Sequence, residues 1–74
     1  MQTTETGQVS VRLNGEAREV SAGLSVEQLL LYLDLHPRLV VVEHNGEILR
    51  RDGYEEAPVR EGDNLELVHF VGGG

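Results

Sequence analysis

Val9, Val11 and Leu13 alternate with Ser10 and Arg12, the two-residue period of a strand with one buried face. Asn14-Gly15 follows directly. Both residue types accept the positive φ of a type I′ turn, so the chain is predicted to double back there. The return strand runs from about Glu16 to Ser21, with Val20 as its inward anchor. Gly23 breaks this strand and a helix start follows. Ser25 reads as an N-cap, with Gln28 three residues on to complete a capping box. Leu24 and Leu29 take the two positions of a hydrophobic staple, and Val26, Leu29, Leu30 and Leu33 form an apolar stripe at helical spacing. Leu31 and Tyr32 fall off that stripe, which predicts a helix buried over more than half its girth. Pro37 is expected to end it, because the residue before a proline is pushed out of helical space.

Leu39-Val40-Val41-Val42-Glu43 is a continuous, β-branched apolar run, read as a central strand with both faces covered. A second Asn-Gly pair, Asn45-Gly46, leads into the short strand Glu47-Ile48-Leu49. Arg50 to Ala57 is polar and irregular, Pro58-Val59 returns to the core, and Glu61-Gly62-Asp63-Asn64 is a turn. The last strand spans Leu65 to Val71. Its alternation puts Leu65 and Leu67 on the core face and Glu66, Val68 and Phe70 on the other.

The order β-β-α-β-β-β is that of an α+β protein with one helix laid across one mixed sheet of four to five strands. A right-handed crossover through the helix sets a later strand parallel to an earlier one. This is the β-grasp, or ubiquitin-like, layout. It divides the chain into a short polar extension (residues 1–8), a β-grasp domain (9–71) and a flexible C-terminal glycine tail (72–74).

At 74 residues there is room for one small core. The absence of cysteine removes disulfides, thiolate metal sites and cysteine nucleophiles together, and it suits a reducing compartment. Thirteen Asp and Glu stand against six Arg and no Lys, for a net charge of -7. That balance disfavours nucleic acid and anionic membrane, and it favours a basic protein surface as partner. Without lysine there is no side-chain amine for an isopeptide bond; an arginine-biased genome accounts for the composition equally well. Met1 to Gln8 has no positive charge and no apolar stretch behind it, and the apolar runs are strand-sized. The expected location is the cytoplasm.

The catalytic inventory is empty. Ser10, Ser21 and Ser25 lack a His and Asp arrangement, and Ser25 is accounted for as a cap. His36, His44 and His69 have no metal-ligand spacing and read as surface or strand histidines. Glu55-Glu56 and Glu61 with Asp63 read as solvated acidic pairs. No bound cofactor, no metal and no enzymatic activity of its own are expected. The glycine tail is different. Glycine's missing Cβ permits close approach to a catalytic surface, and three residues reach about 10 Å. The carboxylate of Gly74 becomes reactive once ATP has adenylated it, after which a sulfur or amine nucleophile can displace AMP.

Asn14-Gly15, the Ser25-Val26…Leu29-Leu30…Leu33 helix, Val40-Val41-Val42-Glu43-His44-Asn45-Gly46, and Glu61-Gly62-Asp63 with Val68-His69-Phe70-Val71-Gly72-Gly73-Gly74 together resemble the ThiS family of sulfur carriers. The resemblance covers nearly everything from Val9 to Gly74, and the Val-His-Phe-Val-Gly-Gly-Gly ending is its most specific part. It implies that Gly74 bears an acyl-adenylate and then a thiocarboxylate, with Gly72 and Gly73 as the slim neck that threads into a partner. It also implies three partners: a ThiF-type, E1-like adenylating enzyme that consumes ATP, a cysteine desulfurase as sulfur source, and a ThiG-type thiazole synthase that builds the thiazole of thiamine. Val68 and Phe70, on the outer face beside the tail, are candidate docking residues, while a cap on the open end of the core is an equal reading of Phe70. Two alternatives stay open: a MoaD-like carrier of molybdopterin synthase or a ubiquitin-like protein modifier, and a β-grasp binding module in which the glycines carry no chemistry.

Overall fold

The computed structural model describes residues 7–70. Five strands form one mixed sheet: β1 (Gln8–Leu13), β2 (Glu16–Ser21), β3 (Val40–His44), β4 (Glu47–Leu49) and β5 (Asn64–His69), in the order β2-β1-β5-β3-β4. A single helix, α1 (Val26–Tyr32), covers one face. β1 and β5 run parallel, with Leu13 beside Leu65, so an early strand lies alongside a late one as the β-grasp expectation requires. Residues 1–6 of the extension read as 1–8, Val71 and the glycines at 72–74 lie outside the described residues, while Gln8, placed in that extension, is the first residue of β1.

Both Asn-Gly turns adopt the expected left-handed backbone, with φ of 51° and 85° at Asn14 and Gly15 and 53° and 88° at Asn45 and Gly46. Asn14 has a second task. Its Oδ1 accepts from the Leu67 N–H at 2.7 Å, holding β5 just past the point where β1 turns away. The capping box is also formed, with Ser25 Oγ accepting from the Gln28 N–H at 3.1 Å and Gln28 Oε1 from the Ser25 N–H at 2.9 Å.

The helix ends before Pro37. After Tyr32 the chain turns through Asp34 at φ 64°; the Asp34 N–H donates to Leu31 O and the Leu35 N–H to Leu30 O. This is a Schellman closure, which satisfies the last carbonyls locally. Pro37 instead opens a 3₁₀ turn, Pro37–Leu39, capped by His36 Nδ1 accepting from the Arg38 N–H. Asp34 pays for its left-handed backbone and places a negative charge at the helix C-terminus. Replacing it with glycine, Asp34→Gly, is therefore expected to raise stability by about 1 kcal/mol in denaturant titration.

The core consists of Val11, Leu13, Val20, Val26, Leu29, Leu30, Val40, Val42, Tyr54, Val59 and Leu65. Three expectations are corrected here. Leu31 and Tyr32 are exposed, so the helix buries one stripe rather than most of its girth. β3 is an inner strand, but only Val40 and Val42 lie under the helix. Val41 looks out from the other face, because a single helix covers a single side. Finally, the segment read as polar and irregular carries a core residue. A 3₁₀ turn, Arg51–Gly53, swings Tyr54 inward, where its hydroxyl donates to Val40 O at 2.8 Å. That bond lets a large aromatic be buried without leaving its O–H unsatisfied.

Candidate functional site

β5 occupies the middle of the sheet, held by β1 on one side and by β3 on the other from His44↔Leu65 to Val40↔His69. The Phe70 N–H extends the ladder by one bond, to Leu39 O at 2.7 Å. The strand that leads toward Gly72, Gly73 and Gly74 is thus fixed up to its last described residue. The glycines themselves lie outside the described residues.

On the face away from the helix, Val68 stands in register with Val41, Glu66 with Glu43, and Glu43 in turn with Ile48 on β4. Alternation alone placed Val68 and Phe70 here, and the structure brings them to the same face. It adds Val41 and Ile48, which only the register of β3 with its neighbours reveals. Val68, Phe70 and Ile48 are 53%, 56% and 65% exposed. Phe70 lies outside the cluster of buried and partly buried apolar side chains that makes up the core. An exposed apolar strip of this kind, rimmed by charge, is the usual form of a protein-binding surface.

The opposite end of the sheet holds a polar clamp that sequence reading missed. Asp63, read as part of a solvated pair, is buried. It accepts from His44 Nε2 at 3.0 Å, from Asn45 Nδ2 at 3.1 Å and from the Arg60 N–H at 2.9 Å. Asn45 Oδ1 accepts from the Asn64 N–H at 2.8 Å, tying the β3–β4 turn to the start of β5. Burial by itself raises the Asp63 carboxyl. The hydrogen bonds from His44, Arg60 and Asn45, with the charge of His44, outweigh it and hold the group below the usual carboxylate value. A depressed carboxyl contributes stability above its unfolded-state value, and that contribution is lost as pH falls through the lower folded-state value. Stability should therefore decline below about pH 4, and Asp63→Asn should flatten that decline. Asp63→Ala, which leaves three partly exposed donors without their acceptor, should cost about 1 kcal/mol at neutral pH. Thermal unfolding across pH reads all of these effects.

Among the described residues no group of three or more His, Asp and Glu is placed to hold a metal ion, and no helix is long and apolar enough to cross a membrane. His36 caps the 3₁₀ turn. His69 faces the helix side, beside a shallow concavity walled by Leu13, Leu33, Leu35, Leu67 and Arg18. No nucleophile with an adjacent base appears in either place.

The ThiS family model matches residues 11–74. The thiazole synthase of Paramagnetospirillum magneticum is 47% identical over 62 residues, covering 84% of this chain and 19% of that protein. This chain therefore spans about a fifth of the length of that relative. The sulfur carrier protein ThiS of Bacillus subtilis is 40% identical over 50 residues, covering 68% of this chain and 76% of that one. The crystal structure of a thiamine biosynthesis protein (ThiS) from Geobacter metallireducens superposes with a TM-score of 0.75 at 35% identity, over 89% of this chain and 100% of the other.

Proposed function

This chain belongs to the ThiS family, and on that footing we propose that it is a sulfur carrier for thiamine biosynthesis whose Gly74 carboxylate holds the sulfur. The observation that carries the reading is the family match itself, which spans residues 11–74, from the β1–β2 hairpin to the three glycines. The chemistry follows from what the chain has and lacks. A carboxylate is a poor electrophile, so a ThiF-type, E1-like enzyme supplies ATP. A carboxylate oxygen attacks the α-phosphorus and pyrophosphate leaves. The outer sulfur of a persulfide, formed by a cysteine desulfurase, attacks the acyl-adenylate carbon and AMP leaves. A thiol then cleaves the resulting acyl disulfide, its own sulfur pairing with the carrier of the persulfide, and the thiocarboxylate remains on Gly74. The chain contributes the acyl group and the handle; catalysis belongs to its partners, and the cycle runs in the cytoplasm.

A ThiG-type thiazole synthase is the proposed acceptor of the sulfur, supported by the similarity to part of a thiazole synthase. Gly72 and Gly73 form the neck that enters each partner's cleft, and Val68 and Phe70 form the docking surface beside it. Intact mass spectrometry of the full chain after incubation with ATP, the adenylating enzyme and a persulfide donor tests the reading. Exchange of one oxygen for sulfur at Gly74 is expected. An unchanged mass alongside active partner enzymes would reject it. Formation of labelled thiazole phosphate with the synthase then separates this pathway from molybdopterin synthesis and protein conjugation.

A further inference from the structure

Glu43 on β3 and Glu66 on β5 face each other directly on the outer side of the sheet. Side chains so paired stand about 5 Å apart at Cβ, and like charges in that relation destabilise a sheet. Among the described residues, neither carboxylate has an ion-pair partner. The two ion pairs among the described residues are His44 with Asp63 and Arg50 with Asp52. Arg12 also lies on the outer face, next to β5, but its Nη1 donates to Gly15 O at 2.9 Å and makes no ion pair with Glu66. On the β4 side and along the strands the pair borders apolar residues. Val41 and Val68 form the next outward pair along the same two strands, and Ile48 flanks Glu43 from β4. A partner that covers the apolar strip must therefore also desolvate two adjacent carboxylates, which is costly unless it brings a cation.

We propose that the Glu43–Glu66 pair receives an arginine or lysine from the thiazole synthase that docks on the Val41–Ile48–Val68–Phe70 strip. This deepens, and rests on, the sulfur-carrier reading above. Arginine fits best, because its planar guanidinium can bridge two carboxylates with separate N–H donors. A second copy of this chain is the wrong occupant. Each copy carries a net charge of -7, and a symmetric contact through this face would bring two such glutamate pairs together. The synthase is favoured because the similarity of this chain to part of a thiazole synthase places the same kind of domain and a synthase in one polypeptide. The pair then acts as an address: it disfavours burial against any surface without a basic group and accelerates encounter with one that has it.

The test uses the full chain and the thiazole synthase of the same organism, with dissociation constants measured at low and high salt. The variants are Glu43→Gln with Glu66→Gln, and Phe70→Ala as the apolar control. The double glutamine variant should melt no lower than the parent, since it loses a repulsion. It should bind the synthase about 30-fold more weakly at low salt and lose most of the parent's salt dependence. Phe70→Ala should weaken binding at both salt concentrations. Binding of the double variant within about twofold of the parent, with Phe70→Ala still impaired, overturns the cation site and leaves the docking strip standing. A parent that takes up sulfur at Gly74 but does not bind the synthase overturns the choice of partner. A parent that fails to take up sulfur rejects the carrier reading itself. Self-association of the parent that Phe70→Ala abolishes overturns the choice in favour of a second copy.

Discussion

A chain with one residue added after Gly74 is expected to fold like the parent and to acquire no thiocarboxylate. The added residue converts the carboxylate proposed to react into a peptide carbonyl and moves the new terminus outward by about 3.5 Å. It also introduces a Cβ where the glycines have none, which hinders the close approach to a partner proposed for them. Misplacement by about 1 Å already costs roughly a hundredfold in well-positioned chemistry, so a full residue should bring transfer below detection. The fold should not notice, because among the described residues the buried core runs from Val11 to Leu65. Intact mass after incubation with ATP, adenylating enzyme and persulfide donor gives the chemical readout, and thermal melting gives the structural one. Gly74→Ala keeps a terminal carboxylate and adds only a methyl group, so it should slow sulfur uptake rather than abolish it. Sulfur uptake at the parent's rate by the extended chain would place the reactive group elsewhere.

The largest effect on folding is expected from Leu65→Ala. Leu65 is fully buried in the middle strand, in register with Leu13 on β1 and His44 on β3. Truncating such a side chain typically costs about 2–5 kcal/mol, the transfer term plus an unfilled cavity. A single core of this size supplies only about 3–5 kcal/mol in total. The variant should therefore be substantially unfolded at room temperature without added stabiliser. Leu31→Ala is the comparison that gives the result meaning. Leu31 is equally apolar in the sequence but 59% exposed, and its truncation should change stability by no more than about 0.5 kcal/mol. Equal losses in the two variants would mean that α1 is buried all round after all.

That contrast shows what the sequence made legible. Features enforced within a few residues were readable: both Asn-Gly turns, the Ser25–Gln28 capping box, and the alternation that put Val68 and Phe70 outside. Each depends on local backbone sterics or on the pleat, and distant parts of the chain do not alter it. The helix end was misread because proline is a conspicuous breaker, whereas an aspartate that accepts a left-handed backbone leaves a fainter mark. Tyr54 and Asp63 were missed for another reason. Apart from the nearby Arg60 N–H, their partners are Val40, and His44 with Asn45, which lie 14 to 19 residues away. Polar or aromatic character in a loop does not reveal a distant carbonyl or amide that will satisfy it. The candidate surface was half legible in the same way. Strand β5 alone gave Val68 and Phe70, while Val41, Ile48 and the opposition of Glu43 to Glu66 required strand register.

The place of β5 in the sheet also has a mechanical consequence. Tension applied at the C-terminal end of β5 and directed along its axis loads the ladders to β1 and β3 in shear, many bonds at once, rather than peeling them singly as at a sheet edge. A partner that grips the glycines and pulls can draw the terminus taut without unzipping the domain behind it. An unfolding machine that starts from the same end meets the strongest direction of the fold first.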